Sequence, residues 1–288
     1  MSKKLAIEGN VKEHDKKYHM SRERKRDEFP HTEIKTKRPD AKAYHLADDL
    51  LNWLAWEFVE PAKCWWVFRG TKRHDYRLRS SLDRRLDHRS ERGDAETAED
   101  YLLSQFQKAA HHHMGASIQP DSKLEWLALM QHFGTPTRLL DFTRSPYVAC
   151  FFALDEPDED TNGEIQDRAI WAVDTDWLVR NSFRRIREKF SGCSENSFLD
   201  CQFLADNFNE LFVNNQKMVL PVVPPRSNLR LLAQQGLFLC PGVAEAGFEE
   251  NLVSFNDDTQ DMAGHAFKIL ALKQANPDCL RGLFSTVA

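Results

Sequence analysis

Between two strongly apolar stretches, residues 131–146 read Gln-His-Phe-Gly-Thr-Pro-Thr-Arg-Leu-Leu-Asp-Phe-Thr-Arg-Ser-Pro. Polar groups carried into a core must each find a partner or cost free energy. A fold that holds this segment therefore makes it either a buried scaffold knot or a site. Its edges are locally defined. Ser122-Lys123-Leu124-Glu125 is a capping box that opens a helix carrying Trp126, Leu127, Leu129 and Met130 inward and ending at Gly134, with His132 in its last turn. Ser145-Pro146 is an N-cap followed by a first-turn proline, and it launches an apolar helix from Tyr147 to Leu154. The motif is helix, turn, short extended segment, helix. Gln131, Gly134 and Pro136 read as turn-formers.

Around this motif the chain is long enough, at 288 residues and 41% hydrophobic, to bury a proper core. Residues 1–40 are highly charged without a sustained period and are expected to be a mobile arm, which leaves 41–288 as the folded domain. Leu46, Leu50, Leu51, Leu54 and Phe58 recur at helical spacing before Pro61. Cys64 to Phe68 reads as a buried strand, with Arg69 leaving the sheet at a rim. Further helices are expected over 94–113, over most of 175–212, at 227–235 and at 274–284. Strands are expected at 169–173, 219–223, 237–240 and 267–272. The fold class is α+β.

Nothing in a whole-chain formal charge of −5 announces a nucleic-acid or membrane partner, and no window is long and apolar enough to span a bilayer. The N-terminus lacks the apolar core of a secretory signal, so a cytoplasmic location is expected. The six cysteines show no Cys-x-x-Cys pairing, and Cys64, Cys150 and Cys240 lie in apolar runs as buried free thiols. His111-His112-His113 cannot all face one ion from a helix, and the acidic run 155–160 has no calcium-loop pattern. No metal is expected.

Three motifs carry a family resemblance: Trp66-Val67-Phe68-Arg69-Gly70, the central block at 131–143, and Leu229 to Phe238. Together they resemble the FRG domain, named for its Phe-Arg-Gly, from about Ala41 to the C-terminus. The resemblance implies a protein of bacteria or their phages, and the stop at Ala288 would leave the C-terminal edge of such a domain abbreviated. Aromatic-Arg-Gly-Thr at the end of a first core strand is also similar to the opening motif of the ADP-ribosyltransferases, in which that position holds NAD. That likeness implies an ADP-ribosyltransferase-like core built on a central, mostly antiparallel sheet with packed helices. By it, Arg69, Gly70, Thr71, His132 and Arg138 bind the nucleotide, Thr143 orients a ribose, and Asp141 or Gln235 sits near the bond to be broken. The superfamily's third motif supplies a Glu or, in some members, a different residue where this chain has Gln234-Gln235, and an amide cannot accept a strong charge-assisted bond as a carboxylate does. Either the carboxylate comes from elsewhere, with Asp141 the nearest candidate, or transfer is weak or absent.

Blander readings stand beside these. Arg69 is equally well a buried arginine paired to Asp141 or to the C-terminus of a helix, Arg138 and Asp141 could neutralise each other across the turn, and His132 could complement a helix dipole. The basic cluster Arg73, Arg77, Arg79, Arg84 and Arg85 could steer a nucleotide toward Arg69. In a second reading of different class the chain is a noncatalytic module whose basic cluster meets nucleic acid or a partner protein. A third is a nuclease using His132 with Asp141.

Overall fold

A computed structural model of the chain describes residues 65–73, 76–86, 95–113, 120–155, 168–212, 216–226, 228–257 and 267–272. The expected arm at 1–40, the helices before Pro61 and at 274–284, Cys64, Cys279, the acidic run beyond Asp155 and the side chains of the histidine run lie outside these residues.

The α+β expectation holds. Among the described residues six strands form one sheet: β1 (Trp66–Thr71), β2 (Leu140–Thr143), β3 (Arg168–Asp174), β4 (Val219–Val222), β5 (Gly236–Pro241) and β6 (Phe267–Leu272). Their order is β4-β5-β2-β1-β3-β6, and every neighbouring pair is antiparallel. The described helices are α1 (Ser81–Leu86), α2 (Ala95–His113), α3 (Lys123–His132), α4 (Pro146–Leu154), α5 (Thr175–Ile186), α6 (Cys201–Asp206), α7 (Phe208–Phe212), α8 (Leu229–Ala233) and α9 (Gly247–Val253).

The pleat sorts side chains between two faces. Val67 of β1, Leu140 and Phe142 of β2, and Ala169, Trp171 and Val173 of β3 join one large core with Leu124, Leu127 and Met130 of α3 and Trp177 and Leu178 of α5. Phe68, Ile170 and Ala172 are buried outside that core, on strands that pack against α4. Sandwiched this way, β3 is buried at every position from Arg168 to Val173, which explains the unbroken apolar run from Ala169 to Val173. The expected caps are present: Ser122 accepts the Glu125 amide and Ser145 accepts the Val148 amide. Gly134, at φ 77°, ends α3 in the left-handed conformation that favours glycine.

The sheet is nearly divided in two. β1 stays paired to β3 through Thr71, and β2 stays paired to β5 from Leu140 to Thr143. Between β1 and β2 themselves the one registered pair is Phe68 with Thr143. Beyond it, Arg69 to Thr71 part from Leu140 to Phe142, and backbone groups that would have formed a ladder need other partners. Arg69 thus remains within the strand, opposite Trp171, and does not leave the sheet as its position before Gly70 suggested.

Candidate functional site

Where β1 and β2 part, a cleft of about 430 Å³ opens, within the usual size of a small-molecule site. Its floor is Phe68 to Thr71 of β1 and Asp141 to Thr143 of β2. Helix α3 walls one side with Ala128, Gln131 and His132, and α4 walls another with Val148, Ala149 and Phe152. A third wall is α8 and its ends, through Asn228, Arg230, Leu231 and Gln234, while Lys72 and Tyr76 stand at the lip.

Arg69 donates from Nη1 to the Asp141 backbone carbonyl at 2.7 Å, taking the place of a ladder bond that the parted strands do not make. Its side chain is half-buried. Burial presses the guanidinium below its ordinary pKa, the Asp141 carboxylate opposes that, and the Arg84 charge adds to it. An arginine nonetheless stays protonated. The bland expectation of an Arg69 partnership with Asp141 is met at the carbonyl, and the two side chains form no ion pair. The remaining donors of the fork have no hydrogen-bond partner among the described residues.

Asp141 is exposed, and its Oδ2 accepts from the Gln131 amide at 2.9 Å. Gln131, which sequence alone made a turn-former, is in fact a junction. Its Oε1 accepts the Thr137 hydroxyl at 2.6 Å, and its Nε2 also reaches the Leu139 carbonyl at 3.4 Å. The signal that could have found it is its place one helical turn before the polar turn, at the inner end of α3.

Thr143 is more committed than its proposed ribose contact assumed. Its hydroxyl donates to the Gln234 carbonyl at 2.6 Å and accepts the Ser145 amide at 3.0 Å. It has no donor left and one lone pair free. Thr71 donates to the Ala169 carbonyl at 3.3 Å. Gly70 lines the cleft, but its lack of a side chain serves helix packing: a Cβ there would overlap the Ala149 carbonyl oxygen and come within 2.6 Å of the Ala153 nitrogen. The backbone that approaches Gly70 closely is that of α4. His132 lines the cleft from the exposed last turn of α3, edge-on to Phe133.

Two expected members do not line the cleft. Arg138 is fully buried and paired with Glu99 of α2, Nε to Oε2 at 2.6 Å, while the Arg138 amide donates to the other carboxylate oxygen at 2.9 Å. It neither reaches the cleft nor neutralises Asp141, because a buried guanidinium needs a desolvated carboxylate beside it and Glu99 supplies one. Gln235 follows α8 at φ 48°, and it is its neighbours Gln234 and Gly236 that line the cleft. The Gln235 carbonyl accepts the Arg144 amide at 3.0 Å, which makes it a turn residue.

The basic cluster is largely tied down. Arg77 pairs with Glu249 at 3.6 Å, Arg79 donates to the Asp83 carbonyl, Arg84 donates to the Arg79 carbonyl, and Arg73 lies over the Tyr76 ring at 5.5 Å. Arg84 and Arg85 are exposed. Of the cysteines, Cys150 and Cys240 are buried free thiols as expected, Cys150 pushed up to about 12 by burial. No group of three or more potential metal ligands occurs among the described residues. No helix among them is long and apolar enough to cross a membrane.

An antiparallel sheet parted beside a half-buried arginine, with a carboxylate on the opposing strand, defines an α+β protein with a polar cleft at the break. Residues 65–162, which supply β1, β2, α3 and α4 of that cleft, match the family model of the FRG domain, and the chain carries an FRG domain there. No curated protein and no solved structure matches the chain.

Proposed function

We propose that the cleft binds a pyrophosphate-bearing nucleotide of the NAD class and that the protein is an ADP-ribosyltransferase-like enzyme of a bacterial or phage conflict system, acting in the cytoplasm. The observation that carries this reading is the opposed pair at the break in the sheet, Arg69 on β1 and the Asp141 carboxylate on β2. An arginine with donors to spare suits phosphate, which it binds in bidentate fashion. Lys72 and Arg230 add positive charge at the lip, and the Arg84 charge, felt at Arg69, extends it outward.

Asp141 takes the role that Gln235 cannot. Its carboxylate accepts a ribose hydroxyl and stabilises the positive charge that develops on the ribose as the bond from C1′ to the nicotinamide nitrogen breaks. Nicotinamide leaves with the electron pair, and the acceptor's nucleophilic atom, or water, bonds to C1′ and releases a proton. Tyr76, with Arg73 against its ring, presents an aromatic surface at the lip for the base.

The test is a calorimetric titration with NAD, ADP-ribose and ATP, with release of nicotinamide followed in parallel, on the wild-type protein and on Arg69→Ala. Saturable binding that the variant loses while keeping its melting temperature supports the reading. A well-folded wild-type protein that binds none of the three refutes it.

A further inference from the structure

We propose that Gln131 is a positioning residue that fixes the Asp141 carboxylate in the cleft, and that the buried Thr137 fixes Gln131 in turn; this rests on the reading of Asp141 as the carboxylate that meets the ligand. The geometry dictates the direction of every bond. Thr137 is fully buried, and its amide is satisfied by Ser81 Oγ at 3.0 Å. Its hydroxyl donates to Gln131 Oε1 at 2.6 Å. The Asp141 carboxylate and the Leu139 carbonyl offer only acceptors, so the Gln131 NH₂ must face them and the Gln131 oxygen is left to Thr137. At Asp141 the NH₂ donates to Oδ2 at 2.9 Å.

This chain of donors removes the usual ambiguity of an amide. Asp141 Oδ2 is occupied, and Oδ1 has no partner among the described residues, so it is the oxygen offered to the cleft. A glutamate at 131 could not serve, because its second oxygen would face a carboxylate without a proton between them. The relay starts in the packed turn against α1 and ends at the exposed Asp141 carboxylate on the cleft floor, coupling the geometry of the site to the core.

Two measurements test this. In the ligand-free protein, the carboxyl carbon resonance of Asp141 is followed by NMR in wild type, Gln131→Leu and Thr137→Val. Both variants are expected to move it in the same direction, although Thr137 does not touch Asp141; a resonance unmoved by Thr137→Val in a folded protein overturns the relay. In the second, ADP-ribose and inorganic pyrophosphate are titrated calorimetrically. Gln131→Leu is expected to weaken ADP-ribose about tenfold, to add nothing further in combination with Asp141→Asn, and to leave pyrophosphate, held by Arg69, unchanged. Equal loss of both ligands makes Gln131 merely structural and overturns the proposal. A wild-type protein that binds neither ligand ends the nucleotide reading, while the NMR measurement still decides the relay.

Discussion

Arg69 and Asp141 meet where the sheet divides, the guanidinium donating to the Asp141 carbonyl at 2.7 Å while the Asp141 side chain turns to Gln131. The arginine thereby closes the backbone gap with one donor and keeps the others. Lysine carries the same charge but as a compact, strongly hydrated point without a fork. Arg69→Lys is expected to fold with a melting temperature near wild type and to bind NAD at least about tenfold more weakly, read by calorimetry. Undiminished NAD binding by the lysine variant would show that the fork is not used.

Arg138 makes the opposite case. With Glu99 it forms a desolvated pair in which the Arg138 Nη1 also approaches the Phe212 carbonyl at 3.5 Å, and Nη2 is buried without a partner. Removing one member leaves the other charge uncompensated in the core. Glu99→Gln or Arg138→Met alone is expected to destabilise by roughly 3–5 kcal/mol, and the combination Arg138→Met with Glu99→Leu to recover most of that. Urea unfolding of the three variants checks it, with additive losses counting against a coupled pair.

These two arginines mark what sequence can and cannot supply. The caps at Ser122 and Ser145, the glycine exit of α3 and the apolar runs of β1, β3 and β5 are written in neighbouring residues and were legible. Partner choice across the chain is not: Glu99 lies 39 residues from Arg138, on a helix with many acidic and polar side chains, and nothing local singles it out. The short helices α1 and α9 escaped for a related reason, since neither is long enough to show a period. That β1 and β2 share a single pair is a property of register, which the alternation of apolar residues in each strand does not encode.

Gln235 shows how one residue of offset reverses a role. At φ 48° it occupies the left-handed position just past α8, which asparagine or glycine usually takes. Gln235→Gly relieves the side-chain clash of that conformation and is expected to raise stability by up to about 1 kcal/mol, since the relief of roughly 1–2 kcal/mol is partly offset by the unfolded-state freedom of glycine. Ligand binding should not change, because Gln234 and not Gln235 lines the cleft. Loss of NAD binding in a variant with an intact melting temperature would return Gln235 to the site.

The outer end of α3 carries a charge cluster that links its stability to pH. Glu125 accepts from Arg226 Nε at 2.9 Å and from the Asp121 amide at 2.8 Å, and Arg226 also meets the Asp121 carboxylate. Burial alone would raise the Glu125 carboxyl, but the hydrogen bonds from Arg226 and Asp121 and the Arg226 charge outweigh it and hold the pKa below its ordinary 4.5. A carboxyl depressed on folding contributes stability above its unfolded pKa, and that contribution fades as pH falls through the folded one. Arg226 is half-exposed, so solvent screens much of the charge and the effect is modest. The melting temperature of wild type is therefore expected to exceed that of Glu125→Gln by a margin that is constant from neutral pH down to about 5, and that narrows below about 4.5 as both proteins come to carry an uncharged side chain there. Thermal denaturation of the pair across this range decides it. A margin that stays constant to about pH 2, or that widens on acidification, would mean that the Glu125 charge does not help hold α3 in place.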